Sequence, residues 1–348
     1  MDLAAAAGMD ARLARWRAFL NPVEPSPPRF LFLVRCGQDE PARPLLWPEH
    51  RQAREEWAWS LYRNQCDRTR WLADDAVPSL SVATGTEIFA EAFGCRVQRP
   101  ADNMPFALPL IHDAREVSGL CVPELSRSSL AYLFEMADEL RSRAGPDALL
   151  RLVDLQSPMD IAALIWEKSD FLASLLLAPE AVRELAAKVS ELLVAFLDEW
   201  FHRYGTRYVA HYPDYVMHGG LTLSEDEVGA VSAAAFEDFF AGELATLSTR
   251  YGGIGIHCCA HARHQWGHFR QVPGLRLINL HQPHAVLVEA YPFFAPGIVQ
   301  LHYGFERPGP VETWPGLHPP DRRVIYEVAA AGPEEARSLA DRFAALRA

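Results

Sequence analysis

The chain is expected to fold as an α/β protein, a (β/α)8 TIM barrel, and three observations lead there. Eight short, almost wholly apolar runs recur along the 348 residues, separated mostly by stretches with helical spacing. Strands of that kind need cover on both faces, which is the condition of a parallel sheet wrapped by helices. A doubly wound sheet would usually carry a glycine-rich phosphate turn after an early strand, and none is present. Polar residues also recur where the apolar runs end, the place where a barrel of this type builds its site.

The first 28 residues read as a helix to about Asn21 and then a proline-rich turn, NPVEPSPP. Phe30 to Val34 is the first strand, and Gly37 to Pro48 a loop. Residues 49–71 are helix-like, with Trp57, Leu61 and Tyr62 set among charges. A second strand is expected near Val77 to Val82, inside an irregular excursion around 75–125 within a single barrel domain spanning 1–348. Residues 126–144 form a helix with Leu130, Leu133, Phe134, Ala137 and Leu140 on one stripe. Leu149 to Leu155 is the next strand. Helices follow over 158–177 and 180–203, the second with Pro179 and Glu180 at its first turn. Tyr215 to His218 is read as the fourth strand. Ser224 and Glu227 are read as a capping box opening a helix over 225–248. Ile254 to Cys258, Leu275 to Leu280, Ile298 to His302 and Val324 to Val328 complete the strands. Pro333 opens a last helix, to Leu346.

Composition narrows the function classes. Lys plus Arg total 33 against 45 Asp plus Glu, a formal net charge of -12, with no basic block to offset it. Nucleic acid and anionic membrane surfaces are therefore not expected partners. Six cysteines are too sparse for a disulfide framework in a chain of this length. The opening MDLAAAAGMDARLARWRAF lacks the basic and apolar succession of a secretion signal, and no apolar run approaches a membrane span. A cytoplasmic enzyme acting on a small-molecule substrate is the expectation.

The polar strand ends supply the candidate site. Arg35 follows the first strand, and its permanent charge suits a carboxylate. Asp74 and Asp75 precede the second. Adjacent residues of a strand face opposite ways, so at most one enters a given pocket, and Asp75 is the candidate contact for a substrate amine. Asp154, Gln156, His218, Asn279, His281 and His302 are expected to line the pocket and hold substrate. The sharpest feature is GIGIHCCAHARHQWGH. His257 and Cys259, two apart on a strand, share a face, and Cys258 points the other way as a small buried side chain. Imidazole nitrogen with thiolate sulfur is a zinc-type pair. It is equally the pairing of an activated nucleophile. A zinc site needs a third protein ligand, for which Glu289, His302 and Glu327 are candidates. His261, His264 and His268 would share one face if helical, facing a substrate, a metal or solvent.

Several segments in order resemble the uroporphyrinogen decarboxylase superfamily: FLFLVRCG (30–37), DDAVPSLSVATGTEIFAEAFGC (74–95), DLQSPMDIAALIW (154–166), LLLAPEAV (175–182), HGGLTLSEDE (218–227) and GIGIHCCAHA (253–262). The resemblance implies one barrel with its pocket at the C-terminal strand ends, and a possible homodimer. Its decarboxylase branch is metal-free and uses two early arginines, an aspartate, and a late tyrosine and histidine. Arg35 stands in the first arginine's place and Asp75 in the aspartate's, and the second arginine is missing. Its other branch, the corrinoid and coenzyme M methyltransferases, holds zinc through His-x-Cys and a distant cysteine. His257 and Cys259 match the pair; the distant cysteine has no counterpart, and Glu327 is the substitute donor considered. The implied function is a zinc-dependent methyl transfer from a corrinoid protein or small methyl donor to a thiol. The alternatives are a metal-free decarboxylase and a barrel that binds ligand without turnover.

Overall fold

The computed structural model describes residues 3–21, 27–36, 41–211, 214–301 and 309–347. Helix α1 (Leu3–Leu20) leads to β1 (Phe30–Cys36) and α2 (Arg51–Arg68). Next come β2 (Ser79–Leu80), α3 (Ile88–Ala92), the short antiparallel pair β3 (Val97–Gln98) and β4 (Phe106–Ala107), and α4 (Ala131–Ala144). β5 (Leu149–Leu150), α5 (Pro158–Ile165), α6 (Lys168–Leu177) and α7 (Pro179–Tyr204) follow. Three strands then lie close in sequence: β6 (Arg207–Val209), β7 (Val216–His218) and β8 (Leu221–Ser224). Helix α8 (Ala233–Ala235) runs through a π-helical turn, Phe236–Phe240, into α9 (Ala241–Tyr251). The chain ends with β9 (Ile254–Cys258), α10 (Trp266–Phe269), β10 (Leu275–Leu280), α11 (His284–Phe293), β11 (Val299–Leu301), β12 (Val324–Ala330) and α12 (Pro333–Arg347).

The barrel is built from β1, β2, β5, β8, β9, β10, β11 and β12. Six of them form one parallel sheet in the order β1-β12-β11-β10-β9-β8. β2 and β5 pair in parallel, and a parallel bridge from Gln156 to Ser224 carries the β5 segment onto β8. Faces alternate along β1 as the strand period requires. Leu31 and Leu33 join the main core, whereas Phe30, Phe32 and Val34 pack with Ala336, Leu339, Ala340 and Phe343 of α12. The α7 stripe read in the sequence is buried along its length, from Val182 to Trp200.

The seam between β1 and β2 is made by side chains. The Asp75 amide donates to Phe32 O at 3.0 Å, and the Asp75 carboxylate accepts the Phe32 amide at 2.9 Å. Asp74 Oδ2 accepts the Val34 amide at 3.1 Å. Two adjacent aspartates thus take β1 amides that a neighbouring strand would otherwise satisfy. Asp75 is wholly buried between Arg15 and Arg347, and Arg12 reaches the carbonyls of Leu72 and Asp74. Burial pushes the Asp74 carboxyl up to about 6, with Arg68 and Arg12 opposing the rise.

Several sequence expectations change. The fourth barrel strand is Leu221–Ser224; the expected Tyr215–His218 run instead pairs antiparallel with Arg207–Val209 as a hairpin. Gly219 and Gly220, at φ +74° and +84°, reverse the chain between β7 and β8. A Cβ on Gly220 would lie 2.8 Å from Gly253 O, so glycine is required for space as well. Ser224 is consequently strand, and the helix cap is Ser232, whose Oγ accepts the Ala235 amide. The amides of Asp226 and Glu227 are taken instead by the buried Asp160 carboxylate, at 2.7 and 2.9 Å. The helix expected over 158–177 breaks at Trp166 and Glu167, where Ile111 bridges to Trp166 and accepts the Glu167 amide. The expected strand Leu149–Leu155 is regular only over Leu149–Leu150, its later residues pairing through single bridges.

Removing the Asp75 carboxylate would leave the buried Phe32 amide and two guanidinium groups without this acceptor. Asp75→Ala is expected to lower stability by about 3–5 kcal/mol, read as a fall in the urea midpoint.

Candidate active site

The register of four neighbouring strands sets the site. Gln156 bridges Ser224, Ser224 pairs with His257, and His257 with Asn279. These residues lie at one level of the barrel, at the C-terminal ends of their strands. His257 Nδ1 hydrogen-bonds Asn279 Oδ1, and Asn279 Nδ2 donates to Leu301 O. The second bond orients the amide, so its oxygen faces the imidazole and His257 carries its proton on Nδ1. Nε2 is left with its lone pair and faces Cys259 Sγ at 2.9 Å. His281 Nδ1 stands 3.9 Å from the same sulfur. Asn279 is wholly buried, so it orients the histidine rather than lining open space.

Charge around this pair is negative. Asp226 accepts the Cys259 amide, and Asp226 is itself fixed by Asp160. Burial, Asp226 and Asp154 push the Cys259 thiol up to about 11, so unaided it is no thiolate at neutral pH. Burial pushes His257 down, toward the neutral imidazole a metal would need. The donor chemistry therefore fits a cation such as zinc, with Asn279 supplying the orienting outer bond such ligands commonly have. Among the described residues no group of three His, Cys, Asp or Glu side chains is arranged to hold a metal.

A separate cavity of about 460 Å³ is lined by neither His257 nor Cys259. Its polar lining includes Arg35, Arg43, Arg68, Arg151, His211 and Asp214. Arg35 is bound to Glu327 and lies 3.5 Å from Asp214, and Arg151 is bound to Asp214 as well. Asp154 joins the two regions. Its carboxylate lies 3.4 Å from His211 Nε2, and its charge acts on His257 and Cys259. Thr84 Oγ1 accepts the Asp154 amide at 3.0 Å. Thr84 follows Ala83, which has φ +32° and whose carbonyl, like that of Val82, is gripped by the buried Arg54. A non-glycine residue held there by surrounding bonds is a strained position on the cavity wall.

The other expected residues are dispersed. Asp75 sits in its ion-pair cluster and does not line the cavity, whereas its neighbour Asp74 does. Glu327, considered as a third donor, lies on β12 bound to Arg35, with β10 and β11 between it and β9. Glu289 pairs with Arg263 on the surface. His218 precedes the turn into β8 and so lies at the opposite end of the strands from His257. Burial and Arg17 and Arg207 push it down to about 4. His302 lies outside the described residues. His264 bonds Val231 O, His268 lies against Phe236 near Glu237, and His261 is exposed. These three do not form a helical face, because only Trp266–Phe269 is α-helical there.

Sequence reasoning passed over His211, Asp214, Arg151 and Thr84. The available signal was RYVAHYPDYVMH, two apolar runs around a proline with a histidine and an aspartate flanking the turn, which is a hairpin pattern.

Buried carboxyls surround the site. Burial pushes Glu87 up to about 7, and Asp160 up to about 7 with Asp226 adding repulsion. A carboxyl whose proton is held more tightly in the folded state contributes stability fully below its unfolded value, near 4.5 for Glu87, and loses it as pH rises through about 7. Thermal stability is therefore expected to fall between pH 5 and 8. In Glu87→Gln that slope should be shallower, as followed by Tm across the same range.

The uroporphyrinogen decarboxylase (URO-D) family model matches residues 79–283. No curated protein matches the chain. A solved structure of a methyltransferase from Methanosarcina mazei superimposes with a TM-score of 0.66 at 13% identity, covering 97% of this chain and 99% of that one. At that identity the likeness is one of fold.

Proposed function

The chain belongs to the uroporphyrinogen decarboxylase family, and we propose that it moves a methyl group from a corrinoid protein or small methyl donor to a thiol acceptor. The observation that carries this reading is the His257 Nε2 lone pair facing Cys259 Sγ at 2.9 Å, with Asn279 locking the tautomer. His257 and Cys259 would hold zinc, which when bound lowers the pKa of a coordinated thiol toward neutrality. Asp226 and Asp154 supply the negative field that favours a cation there. Asp154 and Gln156 would orient the acceptor. A homodimer and a corrinoid partner belong to the same reading.

The methyl-transfer reading is preferred to decarboxylation for two reasons. Asp75 is committed to Arg15, Arg347 and the β1 amide. Arg35 is already matched by Glu327 and Asp214. Arg35 lines the cavity and Asp75 does not, so the two do not address one ligand.

Protein purified without an affinity tag is expected to carry about one zinc per chain, and His257→Ala and Cys259→Ala to lose it. The same variants should abolish formation of methylated thiol, followed by mass spectrometry. Zinc below about a tenth of an equivalent, with no uptake from added zinc, would overturn the reading. Asn279→Ala should weaken zinc binding by roughly 10–100-fold through loss of the orienting bond.

A further inference from the structure

We propose that His211, backed by Asp154, is the base that takes the proton from the thiol acceptor; the proposal rests on the methyl-transfer reading. His211 lines the cavity with its imidazole partly open to it. Nε2 faces the Asp154 carboxylate at 3.4 Å. That partner favours the tautomer with its proton on Nε2, leaving the Nδ1 lone pair to accept another. Among the described residues nothing hydrogen-bonds Nδ1. This is the arrangement of a general base oriented by a carboxylate, with the nucleophile supplied by the substrate instead of by the protein.

The surroundings hold this pair in place. Arg151 donates to His211 O at 3.3 Å and is ion-paired with Asp214, which fixes both flanks of the hairpin tip. Thr84 holds the Asp154 backbone. The charged groups facing His211 are Asp154 and Asp214, which favour its protonated form, and Arg151 and Arg43, which oppose it. Burial outweighs them and keeps the imidazole neutral at neutral pH, ready to accept. Asp154 also acts electrostatically on Cys259 and His257, so its charge links the base to the sulfur site.

The step balances without a further reactant beyond the methyl donor. The thiol S–H bond breaks, its electron pair stays on sulfur, and the proton passes to His211 Nδ1. The sulfur then forms the S–CH3 bond while the bond between methyl and donor breaks, its pair leaving with the donor. His211 returns the proton to solvent.

Proton-linked calorimetry on the zinc-loaded protein tests this without turnover. The probe is 2-mercaptoethanol, titrated at pH 7 in buffers of different ionisation heat. Wild type is expected to release almost no proton on binding the thiol, because the thiolate formed beside His211 adds a second negative partner to Asp154 and holds the proton on the ring. His211→Gln should release about one. Equal proton release in both overturns the proposal alone; absence of thiol binding in both overturns the methyl-transfer reading with it. Turnover supplies a second arm. His211→Gln should lose roughly a hundredfold in rate with an alkyl thiol at pH 7, and recover most of it with an aryl thiol already ionised there. Equal losses with both thiols would assign His211 a structural role and overturn the proposal. Asp154→Asn decides the matter if His211→Gln does not fold. It should move the acid limb of the kcat profile to lower pH, and an unmoved limb counts against the pair.

Discussion

The barrel depends on how its first strand is fastened to the chain that precedes its second. Asp74 and Asp75 hold β1 amides through carboxylates, where a sheet would normally use a backbone ladder. A carboxylate buried without compensation is costly, and here Arg15 and Arg347 supply it. Those arginines come from α1 and α12, so the two ends of the chain meet at one seam. β1 pairs with β12 so that Leu33 faces Glu327 and Arg35 faces Ala329, and Arg35 reaches Glu327 diagonally on the inner face. The cavity wall therefore inherits its geometry from a cluster on the other side of the strand.

A second buried carboxylate does comparable work near the His-Cys pair. Asp160 takes the amides of Asp226 and Glu227, and Asp226 takes the amide of Cys259. Ser157 caps α5 and bonds the Asp160 amide. The turn of chain bearing Cys259 is thus positioned from α5 through the loop after β8. Asn279 adds the opposing restraint from β10. The sulfur and the imidazole meet because two independent supports, one on each side, leave them little choice.

Much of this was legible in the sequence, and the exceptions have physical causes. Uninterrupted apolar runs such as Ile254–Cys258 and Leu275–Leu280 are read directly, since burial on both faces leaves no room for polar residues. The His257–Cys259 facing is what the strand period predicts when carried one residue past the end of β9. The exchange of Leu221–Ser224 for Tyr215–His218 could not be read in the same way. Both runs are apolar and short, and the choice between them is made by two glycines turning the chain and by tertiary pairing with β9. The position of His218 failed with it, because a strand running the other way presents its end to the opposite mouth. Asp75 was recognised as notable, but its adjacency to Asp74 could not say which carboxylate faces the cavity. Arg15 and Arg347 decide that from distant points of the chain. His211 was hidden because a hairpin tip looks like an ordinary turn until its neighbours are known.

That hairpin has a consequence for how such a protein could diversify. β6 and β7 contribute no strand to the main six-stranded sheet, yet their tip carries His211 and Asp214 to the cavity wall. A segment inserted between the third and fourth barrel strands can lengthen, shorten or change its residues while the load of the ladder rests elsewhere. Reactivity and tolerance to drift are thereby housed in the same few residues, so new substrate preferences could arise there without refashioning the scaffold.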